Sequence, residues 1–287
     1  MASMRDIKRR KSSIQSTQQI TKAMKLVSTV KLQRAKQRAE QSKAYFNCMY
    51  QTVSSMLAKA GGINHPYITG NDSTRKAVIM ITGNRGLAGG YNSNIIKLIT
   101  KGDFVKEELD IYAIGSKGRD ALTRNGYNIK AVYRDLAEEP LYSDAMDISR
   151  ELLNAYKAGE VGEIYLAYTS FRNTVSHDPK LIRLLPADIS VDEAAEENTG
   201  AVAMMNFEPK DEEALELIIP QYVTSLIYGG LVESVASENG ARMQAMDSAT
   251  SNAEEMIDSL SLLYNRARQG AITQELTEII AGAEAIS

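Results

Sequence analysis

The sequence has one cysteine, Cys48, two histidines, His65 and His177, four phenylalanines and no tryptophan in 287 residues. A single cysteine excludes an internal disulfide and any multi-cysteine metal site. Neither histidine has the other, or Cys48, at ligand spacing, so no metal and no cofactor is expected. Cys48 itself, with Tyr45, Phe46 and Met49 nearby, reads as a small packed thiol rather than a nucleophile. Twelve methionines, with only four phenylalanines and no tryptophan, suit long, thin helix contacts better than a thick aromatic core. No uninterrupted apolar run approaches the roughly 18–20 residues of a membrane span. The start, Met1 to Arg5, lacks the apolar stretch of a secretory signal. A basic, amphipathic start is also compatible with a mitochondrial transit peptide, but the helical pattern runs on without a point resembling a cleavage site. The expected location is therefore the cytoplasm, or a membrane surface reached only through partners.

What is present is charge, sharply separated. Residues 1–43 carry twelve Lys/Arg and two Asp/Glu, a net of 12 − 2 = +10, and residues 208–287 carry four and fourteen, a net of 4 − 14 = −10. Opposed ends of this kind suggest that the termini pair with each other or that each meets its own charged partner.

Both ends also read as long helices. Residues 4–58 contain neither proline nor glycine and are rich in strong helix formers. Ile20, Met24 and Val27 recur at the spacing of one helix face, and Ile7 and Ile14 extend that stripe. About 55 residues of helix make a rod of roughly 80 Å. At the other end, Pro209 followed by Asp211, Glu212 and Glu213 is a helix start. Pro220 is expected to kink that helix and Gly229-Gly230 to loosen it. Met246, Ala249, Ala253, Met256, Leu260, Leu263 and Ala267 alternate steps of three and four, a coiled-coil seam. Ile272, Leu276, Ile279 and Ala283 resume it after Gly270. A middle of about 120 residues cannot cover two such rods, so the helices must pack on each other and on something else.

The predicted organisation is a helix over 1–60, a linker over 61–75, a central domain over 76–190, an exposed acidic loop over 191–208 and a helix over 209–287. In the middle, Ala77 to Thr82, Ile111 to Ile114 and Glu163 to Phe171 read as strands. Helices are expected from about Ser93, after Gly115 and Gly118, and over 144–158. Strands alternating with helices imply a mainly parallel sheet in a three-layer α/β domain.

Three stretches invite chemistry. The turn Gly83 to Gly90 joins a strand to a helix, where phosphates bind. Its spacing matches neither GxGxxG nor the P-loop pattern, and turn geometry with close backbone packing accounts for the glycines. Ser176-His177-Asp178 are adjacent and cannot converge as a catalytic triad, so a surface turn leading into Pro179 is the better reading. Lys8 to Lys11 resembles a nucleic-acid patch but has no aromatic stacking residues, and a solvated or partner-facing helix surface is favoured. Two rival classes remain: a nucleotide enzyme with helical appendages, and a coiled-coil tether for nucleic acid.

Three separated motifs carry a resemblance. Thr17-Gln18-Gln19-Ile20-Thr21-Lys22-Ala23-Met24-Lys25-Leu26-Val27 is similar to the start of ATP synthase gamma subunits. Arg85-Gly86-Leu87-Ala88-Gly89-Gly90-Tyr91-Asn92 resembles a motif from their middle. Glu238 to Met243, Asn265 to Gln269 and Ile272 to Ala283 resemble their C-terminal signature. The resemblance implies a bacterial F-type ATP synthase subunit that is not an enzyme. Its fold would be a long antiparallel coiled coil of N- and C-terminal helices plus a central Rossmann-like three-layer α/β domain.

In function it would be the rotor shaft, coupling c-ring rotation driven by proton flow to the conformational cycling of the catalytic beta subunits. The implied partners are the alpha–beta hexamer, the epsilon subunit and the c-ring, with no nucleic acid, on the cytoplasmic side of the cell membrane. Residue by residue, Met24, Arg242 and Gln269 are implied to face beta. Where the family often has Ser-Asp, this chain has Gly83-Asn84, which puts the contacts of that loop in question. The cysteine-bearing insert of chloroplast gamma subunits is absent, and thiol control with it.

Overall fold

A computed structural model describes residues 4–59, 65–134, 136, 138–187 and 211–284, apart from some side chains of residues 42–59 and 211–214 and that of Glu284. The predicted acidic loop, the helix start at Pro209 and part of the linker lie outside the described residues. The chain divides into two compact units, residues 30–241 and residues 1–29 with 242–287.

The larger unit is built on a five-stranded sheet. Its strands are β1 (Lys76–Ile81), β2 (Leu109–Ile114), β3 (Asn128–Tyr133), β4 (Glu163–Phe171) and β5 (His177–Leu185), in the order β3-β2-β1-β4-β5. The first four are parallel to their neighbours and β5 runs antiparallel to β4. Two of these strands, β3 and β5, differ from the sequence reading. His177 opens β5 rather than a turn, and the turn lies at Asn173, whose Oδ1 accepts from the backbone N–H groups of Val175 and Ser176. Pro179 is tolerated because β5 is an edge strand.

The described residues also hold six α-helices, α1 (Met4–Lys59), α2 (Pro66–Thr69), α3 (Tyr91–Thr100), α4 (Ser116–Arg124), α5 (Tyr142–Lys157) and α6 (Asp211–Glu284). The alternating pleat of the sheet feeds two cores. Val78, Met80, Ile111 and Ala113 pack with Ile95, Ile99 and Leu122 of α3 and α4 on one face. Ala77, Ile79, Ile81, Tyr112 and Ile114 pack with Ile148, Leu152 and Tyr156 of α5 on the other. That second face also takes Leu215, Ile219, Val223, Ile227 and Leu231, which recur every four residues along α6. The result is three layers, helix on sheet on helix.

Three features of α6 bear on its sequence reading. The helix continues through Pro220, where Thr224 Oγ1 donates 2.7 Å to the proline carbonyl. Gly230 does not loosen the rod: a Cβ there would lie 2.9 Å from Leu166 Cδ2, so the glycine lets helix and sheet approach. An 18-residue window within Leu215–Ala283 reaches a mean hydropathy of 1.3, apolar enough for a membrane span. Half of that window is buried in the fold, as expected of a helix that packs on a sheet.

In the smaller unit the start of α1 runs antiparallel to the end of α6. Gln18 Nε2 donates to Glu254 Oε1 at 3.0 Å, the Thr21 and Thr250 hydroxyls meet at 2.8 Å, and Lys25 Nζ donates to Asp247 Oδ1 at 2.5 Å. The seven residues up α1 from Gln18 to Lys25 match seven down α6 from Glu254 to Asp247. Extending that register brings Met4 level with Arg268, so the end of α6 overhangs the start of α1.

Candidate functional site

The paired segments of the smaller unit carry the residues singled out in the sequence, and their burial is inverted relative to the simple expectation. On α1, Thr21 and Ser28 are buried, while Ile20, Leu26 and Val27 are 61%, 63% and 58% exposed. Half-buried Ile7, Lys11, Ile14, Gln18 and Lys25 extend the inner stripe in steps of four and three. Ile20 and Val27 therefore point away from α6, and small polar side chains close the seam.

On α6, Met246, Ala253 and Leu260 are buried, and Ala249 and Ala267 are half-buried. Met256 and Leu263, expected in the seam, are 45% and 49% exposed, and half-buried Ile257 and Tyr264 take those positions. Steps of three then four, or of four then three, both satisfy a heptad, so α1 decides which residue turns inward. Beyond the register of Met4, Ile272, Leu276, Ile279 and Ile280 are all exposed.

Met24 and Arg242 are half-buried and Gln269 is exposed. Lys8, Arg9 and Arg10 are exposed, and Lys25 forms an ion pair with Asp247 between the two helices. The positive charge of α1 is therefore largely directed away from α6.

In the larger unit the Gly83–Gly90 turn is held by its own amides. The Gly83 N–H donates 2.8 Å to Asn92 Oδ1, and Asn92 Nδ2 donates to the Arg85 carbonyl. Asn84 Oδ1 accepts from the Ser116 N–H and hydroxyl, while its Nδ2 donates 2.7 Å to the Arg134 carbonyl. Asn84 thus supplies the contacts that its departure from Asp put in question. Gly83 has a steric reason: a Cβ would stand 2.6 Å from Glu238 Oε1 on α6. Gly86 and Gly89 have open space around them, so close packing explains neither. Leu87, between them, is 62% exposed with φ 62°, a left-handed conformation uncommon for leucine.

Cys48 is exposed rather than packed. Among the described residues no group of three His, Cys, Asp or Glu side chains could hold a metal ion. Sequence reasoning missed the outward apolar stripe, although its signal was legible: Thr21 and Ser28 lie at heptad spacing between Ile14 and Ala35.

A three-layer α/β domain in one unit and an antiparallel pair of terminal helices in the other define the fold class, which solved structures share. A Euglena gracilis mitochondrial ATP synthase structure (OSCP/F1/c-ring, rotational state 3) contains a chain that matches with TM-score 0.71 and 19% identity. The match covers 99% of this chain and 94% of that one. A chain from the central stalk and c-ring of the Tetrahymena thermophila mitochondrial ATP synthase matches with TM-score 0.59 at 23% identity, over 80% and 99% of the two. Those likenesses are of fold.

Sequence is more specific. A family profile described as ATP synthase matches residues 3–286. The ATP synthase gamma chain of Lachnoclostridium phytofermentans is 62% identical over the whole of both chains. A gamma chain described as sodium ion specific, from Acetobacterium woodii, is 39% identical over 99% of both. The chain belongs to the ATP synthase gamma chain family, and it is a non-catalytic subunit.

Proposed function

We propose that this chain is the central shaft of a bacterial F-type ATP synthase. Turned by an ion-driven c-ring, it drives the catalytic beta subunits through their states. The observation that carries this reading is the inverted burial of the paired helices. Two helices that turn Ile20, Leu26, Val27, Leu262 and Leu263 outward, and close on threonine, serine and alanine as well as on Met246 and Leu260, need an enclosing partner. A sleeve of alternating alpha and beta subunits is such a partner. Met24, Arg242 and Gln269 would face beta, and the exposed Ile272, Leu276, Ile279 and Ile280 would enter the upper bearing.

The α/β domain would contact the epsilon subunit and the c-ring, on the cytoplasmic side of the cell membrane. The reading is the same for protons or sodium ions, because the shaft handles torque and not the ion. Affinity purification through a tag on this chain, from detergent-solubilised membranes, tests it. Alpha, beta, epsilon and a small c subunit should co-elute in fixed ratio. Recovery of the chain alone, or with nucleic acid lost on raising salt, would refute it.

A further inference from the structure

The order β3-β2-β1-β4-β5 places a topological switch point between β1 and β4. In open α/β sheets the crevice beyond the carboxyl ends of two such strands is the usual ligand site. Here the chain fills it with its own helix, α6. The pairing of β1 with β4 ends at Met80 and Ala167, and the Thr82 N–H then donates to the Ile114 carbonyl of β2. Strand β4 continues to Phe171, paired on its other side with β5. The edge that β1 leaves open is met by a single turn of α6. The Thr169 N–H donates 3.3 Å to Ser234 Oγ, and Ser237 Oγ donates 3.1 Å to the Thr169 carbonyl. The Phe171 N–H donates 3.3 Å to Glu233 Oε2. Glu238 then stands over Gly83, where β1 has turned away.

Three side chains of a helix thus do what a neighbouring strand does elsewhere in the sheet. Thr169, Ser234 and Ser237 are 2%, 1% and 0% exposed, so water cannot replace these bonds when they break. To either side α6 meets the sheet with Gly230, against Leu166, and Gly240, against His177. Neither has a side chain to interlock with the strands, so directional hydrogen bonds fix the helix where side-chain relief does not. We infer that Glu233, Ser234 and Ser237 are positioning residues that lock α6 against sliding or turning on the sheet, so that torque on the α/β domain is carried into α6. The torque role rests on the chain being a rotor shaft, whereas the lock itself does not.

Two measurements test this. In the full-length chain carrying Ser234→Ala and Ser237→Ala, the Thr169 amide should exchange its hydrogen about tenfold faster or more, with the Ile79 amide unchanged. Unchanged exchange at Thr169, or equal acceleration at Ile79, overturns the lock whether or not the chain is a shaft. In complete synthase reconstituted with the same double variant, ATP hydrolysis without a gradient should persist. Ions pumped per ATP against an opposing gradient should fall severalfold. An unchanged ratio overturns the torque role, and so does a loss of hydrolysis that matches the loss of pumping. Glu233→Gln, which keeps the acceptor, should pump as the unsubstituted chain does, and Glu233→Ala should pump less. Equal pumping by these two also overturns the role, and they take the place of the double variant if it does not assemble.

Discussion

His177 lies against Gly240 of α6 and the Phe171 ring, and its two buried ring nitrogens have no close hydrogen-bond partner. Burial holds its pKa below the ordinary 6.5, with the Thr174 backbone and the Asp178 carboxylate pulling weakly the other way. As pH falls through 6.5 the unfolded chain takes up a proton that the folded chain resists. Stability should therefore decline from about pH 6.5 down to the lowered pKa and then level off. Urea melts from pH 7.5 to 5 should show this decline, and His177→Phe should flatten part of it. Gly83 yields a second expectation at this scale. Glu238 is only 7% exposed, so it cannot swing away from a new Cβ without disturbing its surroundings. Gly83→Ala should cost about 1–3 kcal/mol in thermal or urea unfolding, the usual range for overpacking.

Among the elements, β1 and β2 were legible because nearly every residue in them is buried, which gives a continuous apolar run. The edge strands hid themselves. Along β3 exposed and half-buried residues alternate, with Lys130 in its middle, and β5 carries Pro179. Neither resembles a core strand because neither is one. The shaft helices were legible in length and type but not in rotation. Reading the largest aliphatic side chains as the inner face fails where an outer partner is to take them, and nothing within one chain announces that partner.

Leu260 and Leu263 separate the two faces. Leu260, 8% exposed, should cost on the order of 2 kcal/mol or more when changed to alanine in the isolated chain. Leu263→Ala should cost well under about 1 kcal/mol there, since the side chain is already half in water. It should instead weaken assembly with alpha and beta, measured as recovery of the complex on gel filtration. Equal losses for both variants in the isolated chain would place Leu263 inside the pair.

For the whole molecule, the basic flank of α1 has to pass three beta subunits in turn if the chain rotates. Met24 sits on that flank next to Lys25, which is committed to Asp247. Met24→Lys adds a cation that can pair with an acid on beta, a charge-assisted contact of about 1.5–3 kcal/mol. Such a contact must break before each new dwell. ATP hydrolysis should persist while ions pumped per ATP fall, with both measured in the same reconstituted vesicles. A proportional fall in both, or no change, would move Met24 away from the beta interface.

The Thr21–Thr250 pair has a mechanical consequence. Each hydroxyl also lies within reach of a carbonyl of its own helix, Thr21 of Gln18 at 3.0 Å and Thr250 of Met246 at 2.7 Å, so one of the two donates across the seam while the other donates to its own helix. When the crossing bond lets go, neither oxygen is stranded, so the two strands can shear past each other by a small amount and return without a large barrier. An interlocked leucine, such as buried Leu260 further along the seam, has no such clutch. Under load this level of the pair should behave as a soft torsion spring, yielding a little and recovering.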